Sequence, residues 1–161
     1  PDPLLAQMVR RWNDEGRVPL IRFATPEMVL DRFLQQAAVV PDLSGEVRLV
    51  NAGHPPPLQV KGRKLTSWPR TGPLLGFPGV THAVRTIPVA PGELLVITTD
   101  GLHEAQTEGR VLLGEERLAE LIVTRRHDPP QRLADACVDL ALEHTGGRLR
   151  DDALVVVARR C

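Results

Sequence analysis

Apolar positions along this chain keep two periods, and the changes of period mark the elements. Over residues 3–13, Leu4, Leu5, Met8, Val9 and Trp12 recur at helical spacing, and Asp14-Glu15-Gly16 closes the run. Thr25 reads as an N-cap and Pro26 as the first residue of a second helix, with Val29, Leu30, Phe33 and Leu34 on one face. Short apolar runs bounded by Gly, Pro, Asp or Ser follow, which is the pattern of strands. Residues 37–40 and 46–51 form one predicted pair around Asp42-Leu43-Ser44-Gly45. Residues 58–60 and 64–68 form a second, turning at Lys61-Gly62-Arg63, and residues 83–89 and 93–99 a third, around Ala90-Pro91-Gly92. Helical spacing returns over 115–123, with Leu118, Leu121 and Ile122 inward. It returns again over 129–144, where Leu133, Cys137, Leu140 and Ala141 line one side and Gly146-Gly147 ends the helix. Residues 153–159 make a final strand. Antiparallel hairpins with separate amphipathic helices predict an α+β domain. A chain of 161 residues is long enough for a single domain with its own core.

Composition narrows the function classes. The 20 basic and 20 acidic residues balance, so no basic excess points to nucleic acid or an anionic membrane. Apolar runs reach only about five or six residues, too short to span a bilayer. No charged-then-apolar leader opens the chain. Cys137 and Cys161 are far apart and read as a buried helix thiol and a terminal thiol, not a disulfide. A cytoplasmic location is the expectation. Pro1 in place of Met reads as the start of a piece of a longer polypeptide. With three Phe, two Trp and no Tyr, the core is expected to be aliphatic.

The candidate chemistry sits in Thr98-Thr99-Asp100-Gly101-Leu102-His103-Glu104-Ala105, just after the apolar strand Glu93-Leu94-Leu95-Val96-Ile97. An Asp at the mouth of a strand can ligate a hard metal ion, and the Gly beside it lets backbone and water come close. An Asp-Gly after a strand is also an ordinary turn. A second acidic pair, Asp151-Asp152, precedes the last strand-like run. No Walker loop or dinucleotide fingerprint is present, His82, His127 and His144 lack zinc-site spacing, and neither cysteine sits in a nucleophile motif.

Further motifs occur in one order along the chain: Asn51-Ala52-Gly53-His54-Pro55-Pro56-Pro57, Gly72-Pro73-Leu74-Leu75-Gly76, Pro91-Gly92-Glu93, Thr99-Asp100-Gly101 with Glu104-Ala105, Leu113-Gly114 with Arg117-Leu118, and Asp151-Asp152. Together they resemble the C-terminal part of the sporulation-E-type branch of the metal-dependent (PPM, type 2C) protein phosphatases. The family-like region covers about 25–160, after a helical lead-in over 1–24. The resemblance implies an antiparallel β-sandwich flanked by helices, a four-layer αββα arrangement here lacking its N-terminal portion. It implies hydrolysis of phosphoserine or phosphothreonine on a regulatory protein such as an anti-sigma-factor antagonist, and an upstream sensory or regulatory domain in a longer chain. It also implies a two-ion Mn2+ or Mg2+ centre, for which Asp100 and Asp151 match two ligand positions. Gly101 would allow close approach, and Asp152 would either ligate or cap the turn beside Asp151. Asp100 and Asp151 are thus the candidate catalytic residues, and the two should converge in space.

The chain also departs from the family pattern. The upstream Gly-Asp segment that supplies the metal-bridging carboxylate has no counterpart before residue 54, where the acids are Asp2, Asp14, Glu15, Asp31, Asp42 and Glu46. The stretch ahead of Asn51 looks shortened, and Leu154 stands where the family often has Thr. These departures leave open a non-catalytic, phosphatase-like regulatory or binding module, or a truncated piece. His54 could donate a proton near phosphate, or with Asn51 bond the backbone of a tight loop ahead of three prolines. His103 reads as a loop residue, and Glu104 as organising that loop.

Overall fold

Strand pairing sorts the described residues into two four-stranded antiparallel sheets. The computed structural model describes residues 21–22, 36–41, 45–74 and 81–161. The helices expected over 3–13 and after Thr25 lie outside those residues. Among the described residues, one sheet has β1 (Ile21–Arg22), β2 (Gln36–Pro41), β3 (Glu46–Ala52) and β6 (Arg85–Pro88), in the order β1-β2-β3-β6. The other has β4 (Leu58–Lys61), β5 (Lys64–Ser67), β7 (Leu94–Thr98) and β8 (Val155–Arg159), in the order β5-β4-β7-β8. Three helices follow β7: α1 (Asp100–His103), α2 (Glu115–Thr124) and α3 (Pro130–Thr145). This is the expected α+β class. The sheets belong to two compact units, one ending at His54 and resuming over Pro69–Val89, the other made of Pro55–Trp68 and Ala90–Cys161. No helix among the described residues is long and apolar enough to cross a membrane.

In the first unit, β2 and β3 form the expected antiparallel pair, with Val39 opposite Leu49. Val47 and Leu49 of β3 and Ile87 of β6 are buried, and Val47 faces Ile87 across the ladder. Fully buried Asn51 is the last residue but one of β3. Its N–H donates to Thr71 Oγ1 (2.9 Å), and its Nδ2 donates to the His54 carbonyl (3.0 Å), closing the turn that enters the three prolines.

In the second unit, β4 and β5 form the expected hairpin, with Lys61 opposite Lys64. All five residues of β7 are buried, which is why this strand reads as a continuous apolar run rather than an alternating one. Leu94 and Val96 share a core with Leu118 and Ile122 of α2 and with Leu133, Cys137 and Ala141 of α3. The core is aliphatic, as the composition demands. At the end of α3 the chain turns left-handed at Gly146 (φ 70°). There the Gly147 and Gly146 N–H groups donate to the Leu142 and Glu143 carbonyls (2.7 and 3.3 Å), a Schellman closure. His144 ties the loop before α2 to the helices. Its Nε2 meets the Val111 carbonyl at 2.9 Å and must carry the proton there, so Nδ1 accepts from Arg117 at 3.0 Å.

One expected hairpin does not exist. Residues 83–89 and 93–99 both supply strands, but β6 pairs with β3 whereas β7 pairs with β4 and β8. The turn at Ala90-Pro91-Gly92 hands the chain from one sheet to the other. β7 has no free edge to offer β6, because both of its edges are taken. A buried carboxylate holds this turn. Glu93 accepts from the Ala90 N–H (3.0 Å) and from Gln59 Nε2 (2.8 Å), and Lys61 Nζ lies 3.4 Å away.

Candidate metal centre

Register alone carries the second acidic pair to the first. β7 delivers Thr98-Thr99-Asp100 to the end of its sheet. β8 runs antiparallel beside it, with Thr98 opposite Val155. Continuing that register by one residue puts Thr99 beside Leu154, and the Thr99 N–H does donate to the Leu154 carbonyl (3.1 Å). Two residues further, Gly101 meets Asp152. A Cβ placed on Gly101 would lie 2.4 Å from the Asp152 carbonyl oxygen and 3.3 Å from the Asp151 carbonyl carbon. Only glycine admits this approach, because any side chain would occupy the space of the opposing peptide.

The chain does not continue as a strand after Thr99. Thr99 is extended (φ −79°, ψ 162°), and Asp100 opens the short helix α1, closed by the Glu104 N–H on the Asp100 carbonyl (2.9 Å). Leu102 is fully buried in the core and fixes α1 against α3. Two further bonds secure the opposite turn. The Thr99 hydroxyl donates to the Asp152 carbonyl (2.7 Å) and accepts from the Leu154 N–H (2.9 Å). The Asp152 N–H donates to Asp151 Oδ1 (2.8 Å), so Asp151, not Asp152, caps this turn. Gly101 is buried, Asp100 half-buried, and Asp151 and Asp152 exposed.

Asp100, Asp151 and Asp152 offer carboxylate oxygen, the ligand type that Mg2+ takes and that Mn2+ shares. The Gly101 cradle lets the turns that carry them come together. Among the described residues, however, no group of three or more His, Cys, Asp or Glu side chains is arranged to hold an ion. A two-ion centre therefore requires at least one further acid. His103 lies in α1 rather than in a loop, since the helix begins at the Asp itself. Glu104 is exposed and closes α1 through its backbone. Asn51 organises the loop through the His54 carbonyl, and His54 is buried. The sequence shows Thr99 only as part of the Thr99-Asp100-Gly101 motif, and its hydroxyl's bonds to residues 152 and 154 come from the fold. The available signal was a hydroxyl residue between the last strand residue and the Asp-Gly pair.

The chain is similar to known proteins. Residues 15–161 match the family model described as stage II sporulation protein E (SpoIIE). Protein IcfG of Synechocystis sp. is 26% identical over 117 residues, which is 71% of this chain and 18% of that protein. Among solved structures, the RsbU and RsbW domains of Rv1364c from Mycobacterium tuberculosis are similar, with a TM-score of 0.68 and 26% identity, over 98% of this chain and 47% of that one. The PP2C phosphatase domain of SpoIIE from Bacillus subtilis, solved with a fragment of its regulatory domain, also gives a TM-score of 0.68. Its identity is 20%, over 78% of this chain and 37% of that one. The chain thus spans about half or less of the length of these proteins, and the structural likeness shows a PP2C fold.

Proposed function

The chain belongs to the stage II sporulation protein E family of PP2C-type serine/threonine phosphatases, and from that premise we propose that it is the C-terminal part of a metal-dependent phosphatase acting on a regulatory phosphoprotein. The substrate would be phosphoserine or phosphothreonine on a partner such as an anti-sigma-factor antagonist, under the control of an upstream regulatory domain. The observation that carries this reading is the locked pair of acidic turns, Asp100-Gly101 against Asp151-Asp152, brought together from distant parts of the chain. Asp100 and Asp151, with Asp152 beside them, would hold Mn2+ or Mg2+; the catalytic domain of the structurally similar serine threonine protein phosphatase PstP has been solved in complex with two manganese ions. When bound, such ions lower the pKa of water and neutralise phosphoryl oxygens during in-line attack. The chain's own part is to supply carboxylate oxygens at a fixed separation and to leave them open to a substrate.

The donor count sets the expected activity. Without a bridging acid, the lost transition-state contact costs on the order of 3–4 kcal/mol, a few hundredfold in rate. Manganese-dependent hydrolysis of para-nitrophenyl phosphate by this chain should therefore be weak, and it should rise when the sequence is extended upstream. Asp100→Asn should abolish it in the extended protein while leaving the fold intact. Undiminished turnover of Asp100→Asn at saturating manganese would refute the assignment. A second reading, a phosphatase-like module that binds without hydrolysing, is favoured by the lack of a three-residue metal-holding group among the described residues. It predicts no manganese-dependent turnover even with the upstream extension.

A further inference from the structure

We propose that β8 is an interface between two copies of this chain, the edge strand of one sheet pairing antiparallel with the same strand of a second copy.

Backbone bonds fix which groups of β8 are already used. At one end the Arg160 N–H donates to the Glu93 carbonyl (3.1 Å), and at the other the Thr99 N–H donates to the Leu154 carbonyl (3.1 Å). Residues that exchange such bonds alternate along an antiparallel ladder. Leu154, Val156, Ala158 and Arg160 therefore turn their peptide groups toward β7, and Val155, Val157 and Arg159 turn theirs away. β8 stands last in the order β5-β4-β7-β8, so that outward side has no strand partner among the described residues. Open edges are normally blunted by charge, Pro or shortness. The opposite edge follows this rule, since β5 has four residues and opens on Lys64. β8 does not: Val155-Val156-Val157-Ala158 carries no charge and no Pro, and three of its four residues are β-branched.

The flanks say what this edge can pair with. The segment Asp151-Asp152-Ala153-Leu154-Val155-Val156-Val157-Ala158-Arg159-Arg160 is acidic before its apolar run and basic after it. Reversed and laid beside itself, it sets acid against base. A foreign strand would need the same reversed charge order, whereas a second copy has it by symmetry. The ladder also restricts the register, because outward residues must meet outward residues. Placing Val156 on the two-fold axis satisfies this. Val155 then lies opposite Val157 of the second copy, Asp152 opposite Arg160, and Asp151 diagonal to Arg159.

Sedimentation velocity of the full chain over a micromolar concentration series should show a monomer–dimer equilibrium. Val157→Pro should abolish the dimer, since it removes an N–H that β7 does not use. Should that variant fail to fold, charge reversal tests the same pairing. Arg160→Asp sets acid against acid and should weaken the dimer about tenfold, and adding Asp152→Arg should restore it. Cysteine pairing tests the register, in a Cys161→Ser background. Val156→Cys should oxidise to a linked dimer, because residues on the axis face each other at about 4.5 Å between Cα atoms. Ala158→Cys should not, its two copies lying about 13 Å apart along the strands.

A parent that stays monomeric throughout the series overturns the proposal. So does a folded Val157→Pro that dimerises like the parent, or a charge-reversed double variant no tighter than Arg160→Asp. A disulfide at Ala158→Cys instead of Val156→Cys overturns it as well. Amide exchange identifies what covers the edge. Protection of Val155 and Val157 that rises with concentration supports pairing between copies. Protection that is independent of concentration means that another segment of the same chain lies there, and the proposal fails.

Discussion

Replacing Gly101 with alanine tests the close approach on which the site depends. Two effects oppose each other. In a helix, alanine is favoured over glycine by about 1 kcal/mol. Against this, the new Cβ would sit 2.4 Å from the Asp152 oxygen and 2.9 Å from its carbonyl carbon. That is roughly 1 Å inside comfortable contact. Both are backbone atoms, so no rotamer change relieves the overlap. The Asp152 carbonyl cannot retreat without stretching its 2.7 Å bond from Thr99. Overpacking of this kind costs about 1–3 kcal/mol, and each lost hydrogen bond about 1 kcal/mol. With one or two bonds lost and the helix gain subtracted, Gly101→Ala should destabilise by about 1–4 kcal/mol. A value in mid-range lowers the Tm of a chain this size by roughly 5–10 °C. Gly109→Ala is the control, since its Cβ would meet only Thr107 Oγ1 at 3.7 Å. Thermal unfolding followed by circular dichroism reads both. If Gly101→Ala melts with the parent and the control, or above them, the two turns are not packed as described.

Two further outcomes follow from buried groups. Burial pushes the Glu93 carboxyl up, but the Ala90 N–H, the Gln59 amide and Lys61 outweigh it and hold the pKa below its ordinary value. Between the folded and unfolded values the unfolded chain binds more protons. The stabilisation is therefore present above the ordinary glutamate pKa and is lost as pH falls through the lower, folded one. Glu93→Gln should lower stability at pH 7 by about 1–3 kcal/mol, the worth of hydrogen bonds to a charged group. Urea unfolding from pH 7 into the acid range should then show a shallower acid loss than in the parent, and parallel curves would count against this account. Cys137 is fully buried, and burial pushes its thiol up to about 11 against a small opposing effect of Arg125. Ellman's reagent should react at once with exposed Cys161 alone and reach Cys137 only in denaturant, so two fast thiols would contradict the packing of α3.

Local pattern determined much of this protein. The short apolar runs, 46–51 beside its turn residues and Leu94-Leu95-Val96-Ile97, specified their strands, because what a strand can bury is a property of the segment itself. Helical spacing located Leu118, Ile122, Leu133, Cys137 and Ala141 on the faces that are buried, and Gly146-Gly147 marked the end of α3 because only a left-handed residue closes it this way. The ordered motifs were enough to identify the family and the two acidic turns. Pairing was decided elsewhere. A turn such as Ala90-Pro91-Gly92 looks the same whether it closes a hairpin or passes between sheets. The outcome depends on which strands, distant in sequence, already occupy the edges of β7, and those are β4 and β8. The role of Thr99 was hidden for the same reason. A hydroxyl's partners are backbone atoms more than fifty residues away, and only the register of β7 against β8 brings Asp152 and Leu154 within its reach. Composition and period describe what each segment can bury; the tertiary structure alone decides which polar groups meet.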